Sequence, residues 1–179
     1  NFRMGFITTD DHYLVSPYID NNTPNVNTKA ADIVNSIGIG GSGTEKGLQK
    51  AHQALLYFIA TGEFLRDDAN LIMIFVSDER DNSPFPTSDY INEFLSIRPI
   101  DRIKAYAVIG DPPIGCDTSN GNWNVSAQFG SHYYDVANWF NGDWYSICEY
   151  DWSTNMTNLA QDITIKSAFE LEEPDPIVN

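Results

Sequence analysis

Basic residues are scarce in this chain: ten Lys and Arg stand against 25 Asp and Glu, a formal charge of -15 over 179 residues. A surface of that sign repels a phosphate backbone, which argues against nucleic acid as a partner. Long apolar runs are missing too. The longest, Leu71 to Val76, has the length of a strand, whereas a membrane span takes roughly 18 to 20 apolar residues. Only two cysteines occur, Cys116 and Cys148. They permit one bridge or a buried free pair. His12, His52 and His132 match neither HExxH nor another zinc spacing, and Ser36, Ser42 and Ser77 lie in no GxSxG elbow, so zinc and serine hydrolases are not indicated. The chain opens on Asn1-Phe2-Arg3 with no initiator Met and no signal-like segment, so any export signal is expected to lie upstream or to have been removed.

What is present suits one globular domain. Hydrophobic residues make up 42% and aromatic residues 13%, enough to bury a core without help from metal or disulfides. Phe2 to Thr8 reads as a short, central strand, and residues 12 to 42 read mainly as loop with a weak helix over Lys29 to Asn35. From Thr44, Leu48, Ala51, Leu55, Phe58 and Ile59 recur at helical spacing until Gly62. Leu71 to Ser77 is expected to be a buried strand, and Thr87 or Ser88 can cap a second helix. Ile103 to Ile109 is the next strand. A helix over Ser131 to Phe140, a strand around Tyr145 to Cys148 and a helix over Thr154 to Ala168 complete the series. Alternation of this kind predicts an α/β fold, a doubly wound, mostly parallel sheet with helices on both faces. Residues 1–169 form the domain and 170–179 a linker.

The run Phe75 to Pro84 concentrates chemistry. It places Asp78, Glu79 and Asp81, with hydroxyl and amide oxygens, where an apolar strand ends, the edge at which ligands of open α/β sheets gather. Asp10 and Asp11 close the first strand in the same way. Gly38 to Gly43 satisfies GxGxxG, but the buried strand and the acidic ribose ligand of a dinucleotide site are both missing. Its glycines serve instead to turn the backbone and bring the Thr44 hydroxyl to the sheet mouth. Taken alone, Thr44 could equally be a helix N-cap and Asp78 a solvated strand-end carboxylate.

Gly40-Gly41-Ser42-Gly43-Thr44-Glu45-Lys46-Gly47-Leu48 before an amphipathic helix, followed by Leu71 to Val76 and Ser77-Asp78, resembles a von Willebrand factor A domain. Thr8-Thr9-Asp10, Phe64-Leu65-Arg66-Asp67-Asp68, Ser77-Asp78-Glu79-Arg80-Asp81, Gly110 to Cys116 and Ser146-Ile147-Cys148 are similar to a secreted bacterial branch of that family. The resemblance implies a metal-ion-dependent adhesion site in which Thr44 matches the second-loop Thr and Asp78 the third-loop Asp. It also implies pairing of Cys116 with Cys148 and an extracellular or cell-surface setting, with which sequons at Asn21, Asn124 and Asn155 agree. The family's first strand, first helix and DxSxS loop have no counterpart here, which leads to the expectation of an upstream piece, held noncovalently if cleaved.

Hard ions such as Mg²⁺ and Ca²⁺ take oxygen ligands and keep waters, so one hydroxyl and one or two carboxylates with an open position can bridge to a partner's carboxylate. Thr44 and Asp78 are the expected metal contacts, with Ser42, Asp10, Asp11, Glu79 and Asp81 as further ligands or supports. The expected function is metal-dependent binding to a protein or surface ligand, not catalysis. Alternatives are a structural subunit of a surface assembly with a vestigial site, and a metal-assisted hydrolase using Asp78, Glu79 and Asp81.

Overall fold

A computed structural model describes residues 1–38, 40–41, 43–118 and 126–169. In chain order these form β1 (Arg3–Met4), β2 (Ile19–Asp20), α1 (Val26–Ile37), α2 (Gly47–Thr61), β3 (Leu71–Val76), α3 (Thr87–Ile97), a 3₁₀ turn (Ile100–Arg102), β4 (Ile103–Ile109), β5 (Cys116–Asp117), β6 (Ser126–Ala127), α4 (Ser131–Trp139), β7 (Trp144–Ser146) and α5 (Ser153–Phe169). The main sheet is parallel, in the order β3-β4-β7, with Leu71 opposite Ile103 and Val108 opposite Tyr145. Two small antiparallel pairs, β1-β2 and β5-β6, stand outside it.

The period-2 alternation of each strand sorts side chains to two faces. Leu71, Met73 and Phe75 of β3 join Ile103, Ala105, Ala107 and Ile109 of β4 against α2, α3 and α4, where Leu48, Phe94 and Val136 are fully buried. On the other face Tyr106, Val108 and Tyr145 pack with Leu159 and Met156 of α5. The Tyr106 hydroxyl donates to Asp162 at 2.6 Å. Burial first, then the Asp162 carboxylate, pushes that phenol well above its ordinary range. Helices thus cover both faces, as the alternation predicts, and no helix among the described residues is long and apolar enough to cross a membrane.

β4 runs from Ile103 to Ile109 and α2 ends where Gly62, at φ 69°, turns left-handed and returns its N–H to Phe58. Cys116 and Cys148 are bridged, their Cα atoms 6.3 Å apart. The bridge clips the chain after β4 to the chain after β7, both at the sheet's C-terminal edge.

Several expectations need correction. Phe2 to Thr8 supplies no central strand: only Arg3–Met4 is extended in a pair, and it pairs with Ile19–Asp20. Past Met4 the Phe6 carbonyl accepts from the Val15 N–H at 2.9 Å, and Arg3 ties the segment down by donating to the carbonyls of Glu63 and Phe64. The span read mainly as loop contains the twelve-residue α1, of which only Ile33 is buried. Its apolar residues Val26, Ala30, Ile33, Val34 and Ile37 recur at helical spacing over a longer span than the expected Lys29 to Asn35, within surroundings rich in Asn, Pro and Gly. α3 begins at Thr87 itself, with Pro86 in the capping position and no side-chain cap bond. β7 spans Trp144–Ser146, one residue earlier than expected at its start, and Cys148 lies beyond it. β3, expected to be a buried strand, is among the described residues an edge strand: Ile72 packs against the cluster shared with α5, whereas Ile74 is 46% and Val76 54% exposed. The proposed linker 170–179 lies outside the described residues.

Candidate functional site at the C-terminal edge of the sheet

α2 starts without a local cap: Lys46 occupies the capping position and makes no side-chain bond to the helix. The first backbone N–H groups of a helix have no partner within it. Here three of them find partners far away in sequence. The Gly47 N–H donates to the Tyr133 hydroxyl at 3.2 Å, Leu48 to Asp81 Oδ1 at 3.2 Å and Gln49 to the Ser83 hydroxyl at 2.9 Å. Asp81 also accepts from the Tyr133 hydroxyl at 3.2 Å and the Ser83 hydroxyl at 2.9 Å. Buried at the start of the helix, the Asp81 carboxylate thus meets donors from three residues, Leu48, Ser83 and Tyr133. Its field, after burial, pushes the Tyr133 phenol up. His132 approaches Asp81 from the solvent side, with Nδ1 at 3.5 Å from Oδ2.

This cap fixes the loop that follows β3. The Ser77 N–H donates to Val108, the Asn82 N–H to the Glu45 carbonyl at 2.7 Å, and the Asp78 carbonyl accepts from Gln128 at 2.8 Å. Asp78 is therefore pinned by its backbone while its side chain is exposed. Thr44 is exposed as well, three residues ahead of α2. Between them lies Glu45, which the sequence analysis passed over. Its carboxylate accepts from the Ser77 hydroxyl at 3.3 Å and also hydrogen-bonds Thr9. Burial is the main influence raising the Glu45 pKa; Asp78 and Glu79 add to it, and the two hydroxyls work against it. Glu45 thus stands in the field of both acids, at the junction of three chain segments. The only local signal for it is an acid immediately after Thr44.

The remaining expected residues divide. Asp10 meets the glycine-rich loop: a side chain at Gly41 would sit 3.1 Å from Asp10 Oδ2. Asp11 turns to its neighbour, accepting from the His12 N–H at 2.7 Å. Glu79 is half-buried and its N–H donates to the Ser77 hydroxyl. Asp81 is 5% exposed and its oxygens are committed to capping α2, so it supports the loop from within. Ser42 lies outside the described residues. Asp111, just past β4, has its Oδ1 buried with no hydrogen-bond partner.

The oxygens at this edge, from Thr44, Glu45, Ser77 and Asp78, are of the kind a hard cation takes. No group of three or more His, Cys, Asp or Glu gathers closely enough to hold a metal among the described residues. The donor chemistry is of the type that suits Mg²⁺ or Ca²⁺.

No protein-family model matches the chain, and no curated protein matches it. Among solved structures, the chain is similar to one described as the conserved hypothetical protein BatB from Bacteroides thetaiotaomicron. The two share 13% identity and a TM-score of 0.54, with 93% of this chain and 78% of that chain covered. A likeness at that identity concerns the fold: a mixed α/β architecture built on a parallel sheet.

Proposed function

We propose that this chain is most of a von Willebrand factor A-like domain that binds a protein or surface ligand through a divalent cation at the C-terminal edge of its sheet. The observation that carries the reading is the convergence of residues 9–10, 44–45 and 77–79 on one edge, with Glu45 hydrogen-bonded to both Thr9 and Ser77 beside Asp78. Asp78 and Thr44 would hold the ion, and Glu45 would orient Ser77 and share the charge. A bound cation would supply a positive centre with an open position for a ligand carboxylate. The disulfide is in keeping with an exported life, since such bridges persist in oxidising compartments.

Calorimetric titration of Mg²⁺ and Ca²⁺ into the chain tests this directly. Binding is expected in the millimolar range for an incomplete cage, and Asp78→Ala should abolish it while leaving the circular dichroism spectrum and urea midpoint unchanged. Equal heats from the wild type and Asp78→Ala would overturn the proposal.

A further inference from the structure

The loop bearing Asp78 is tied down at two places from within the domain, at Ser77 by the Val108 carbonyl and at Asp81 and Ser83 by the first turn of α2. Between those ties the backbone of Asp78 is held from outside the main sheet: its carbonyl accepts from the Gln128 N–H at 2.8 Å. Gln128 directly follows β6, in which Ala127 pairs with Cys116 and Ser126 with Asp117 of β5. Two paired strands of two residues each do not hold together in water unaided. Their place depends on what anchors them.

Cys116 is a covalent anchor. Its bridge to Cys148 joins β5 to the chain two residues past β7, where the Ile147 N–H donates to the Ile109 carbonyl at 2.8 Å. The other anchors are close backbone crossings: a Cβ on Gly110 would run into the Gln128 carbonyl and one on Gly115 into that of Ala127, and Gly110 forms a parallel bridge with Phe129. Residues 127–129 thus lie flat on the turn at 110–115, with the Gln128 side chain exposed. The route from sulfur to loop is short. It runs from Cys116 across the pair to Ala127, one residue along to Gln128, and through one hydrogen bond to Asp78.

We propose that the Cys116–Cys148 bridge is a redox control on the cation site, with Gln128 as its positioning residue. In the bridged chain the Gln128 N–H stays on the Asp78 carbonyl and the Asp78 carboxylate is held ready for the ion; in the reduced chain the β5–β6 pair loosens and cation affinity falls. This deepens the preceding reading and rests on its assignment of Asp78 to the ion. The reductant is a dithiol. Its thiolate attacks the Cys116 sulfur, the less buried of the two, and expels the Cys148 thiolate; its second sulfur then displaces Cys116 and closes a cyclic disulfide. Two electrons pass from the dithiol to the bridge, and the dithiol's two protons end on Cys116 and Cys148.

The test compares the bridged chain with chain reduced by dithiothreitol and desalted under argon. Calorimetric titration with Ca²⁺ should show binding weakened about fivefold by reduction, the worth of one backbone hydrogen bond. Amide exchange followed by NMR in excess EDTA reads the coupling without the ion: on reduction the Gln128 amide should speed up at least about tenfold relative to the Ser77 amide, which is bonded within the main sheet. Gln128→Pro removes the donor with the bridge intact. It should weaken Ca²⁺ binding to the same extent, and reduction should then weaken it no further, an insensitivity that a merely structural role would not produce. Gln128→Ala keeps the N–H and should respond to reduction as the wild type does. If circular dichroism shows the reduced chain unfolded, the bridged Gln128→Pro chain carries the test. Equal Ca²⁺ affinity in the bridged and reduced wild type, an unchanged Gln128 amide, or full affinity in bridged Gln128→Pro would overturn the proposal. No heat from the bridged wild type would sink the cation reading instead, and the exchange rates would then decide the coupling alone.

Discussion

Removing the Asp81 carboxylate should be among the most damaging single changes in the molecule, although Asp81 lies in a loop. Asp81→Ala strips the acceptor from the Leu48 and Ser83 N–H groups and from the Ser83 and Tyr133 hydroxyls. The two backbone donors are buried and have no ready substitute, at a cost of about 1 to 3 kcal/mol each. The hydroxyls lose less, since Tyr133 still accepts from Gly47 and Ser83 from Gln49. Loss of an anion at the start of α2 adds about 0.3 to 1 kcal/mol. The total is about 2 to 7 kcal/mol, a large share of the roughly 5 to 15 kcal/mol that a domain has. Asp81→Asn keeps one acceptor oxygen and should cost about 1 to 2 kcal/mol, which ensures a folded variant to measure. Urea unfolding followed by tryptophan fluorescence reads both. At a slope of about 2 kcal/mol per molar, the alanine midpoint falls by about 1 to 3.5 M. Gly47→Ala supplies the cross-check, because its Cβ would lie 2.5 Å from the Tyr133 hydroxyl and push Tyr133 off Asp81. With Asp81→Ala already in place, it should cost at least about 1 kcal/mol less than in the wild type. A loss below about 1 kcal/mol for Asp81→Ala, or strict additivity in the cycle, would refute the claim that this side chain caps α2.

Reduction of Cys116–Cys148, separated by 32 residues, should lower stability by about 3 to 4 kcal/mol in the chain-entropy account; unfolding with and without a phosphine reductant measures it, and an unmoved midpoint would contradict the bridge's stabilising role. The Tyr106 phenol is raised by burial and by Asp162, so the folded state favours its neutral form. That contribution is complete below the unfolded phenol value of about 10 and is lost as pH rises beyond it. Stability should therefore fall above about pH 10, and Tyr106→Phe should flatten the fall; an equally steep fall in Tyr106→Phe would show that the tyrosine is not responsible.

The core strands and α2 were legible because their apolar residues are either continuous, as in Ile103 to Ile109, or strictly periodic, as in Leu48, Leu55 and Phe58. α1 was legible only in part, as a helix over Lys29 to Asn35, because the Asn, Pro and Gly around it read as loop although Val26, Ile33 and Ile37 keep a helical spacing. The cap of α2 was sought at Thr44, where local rules put it, but its partners are Asp81, Ser83 and Tyr133, 33 to 86 residues away. No short-range pattern encodes that. Glu45 was overlooked for a related reason: its importance comes from Thr9 and Ser77, which only the folded chain brings to it. The position of Asp78 at the end of β3 was legible, because a charge directly after an apolar strand must lie at the sheet's edge. The exposure of β3 itself was not, since a sequence shows that a strand is apolar but not which neighbours will be there to cover it.

The bridge between Cys116 and Cys148 also has a mechanical consequence. When the chain is pulled by its ends, the 32-residue span closed by the disulfide, which contains α4 and β7, cannot pay out. At about 3.5 Å per extended residue, the bridge withholds about 110 Å of contour length. Stretched singly, the oxidised chain should yield a shorter final extension than the reduced one by about that amount. The chain between Cys116 and Cys148 lies off the loaded path while the bridge is intact, whereas β3 and the loop bearing Asp78 lie on it.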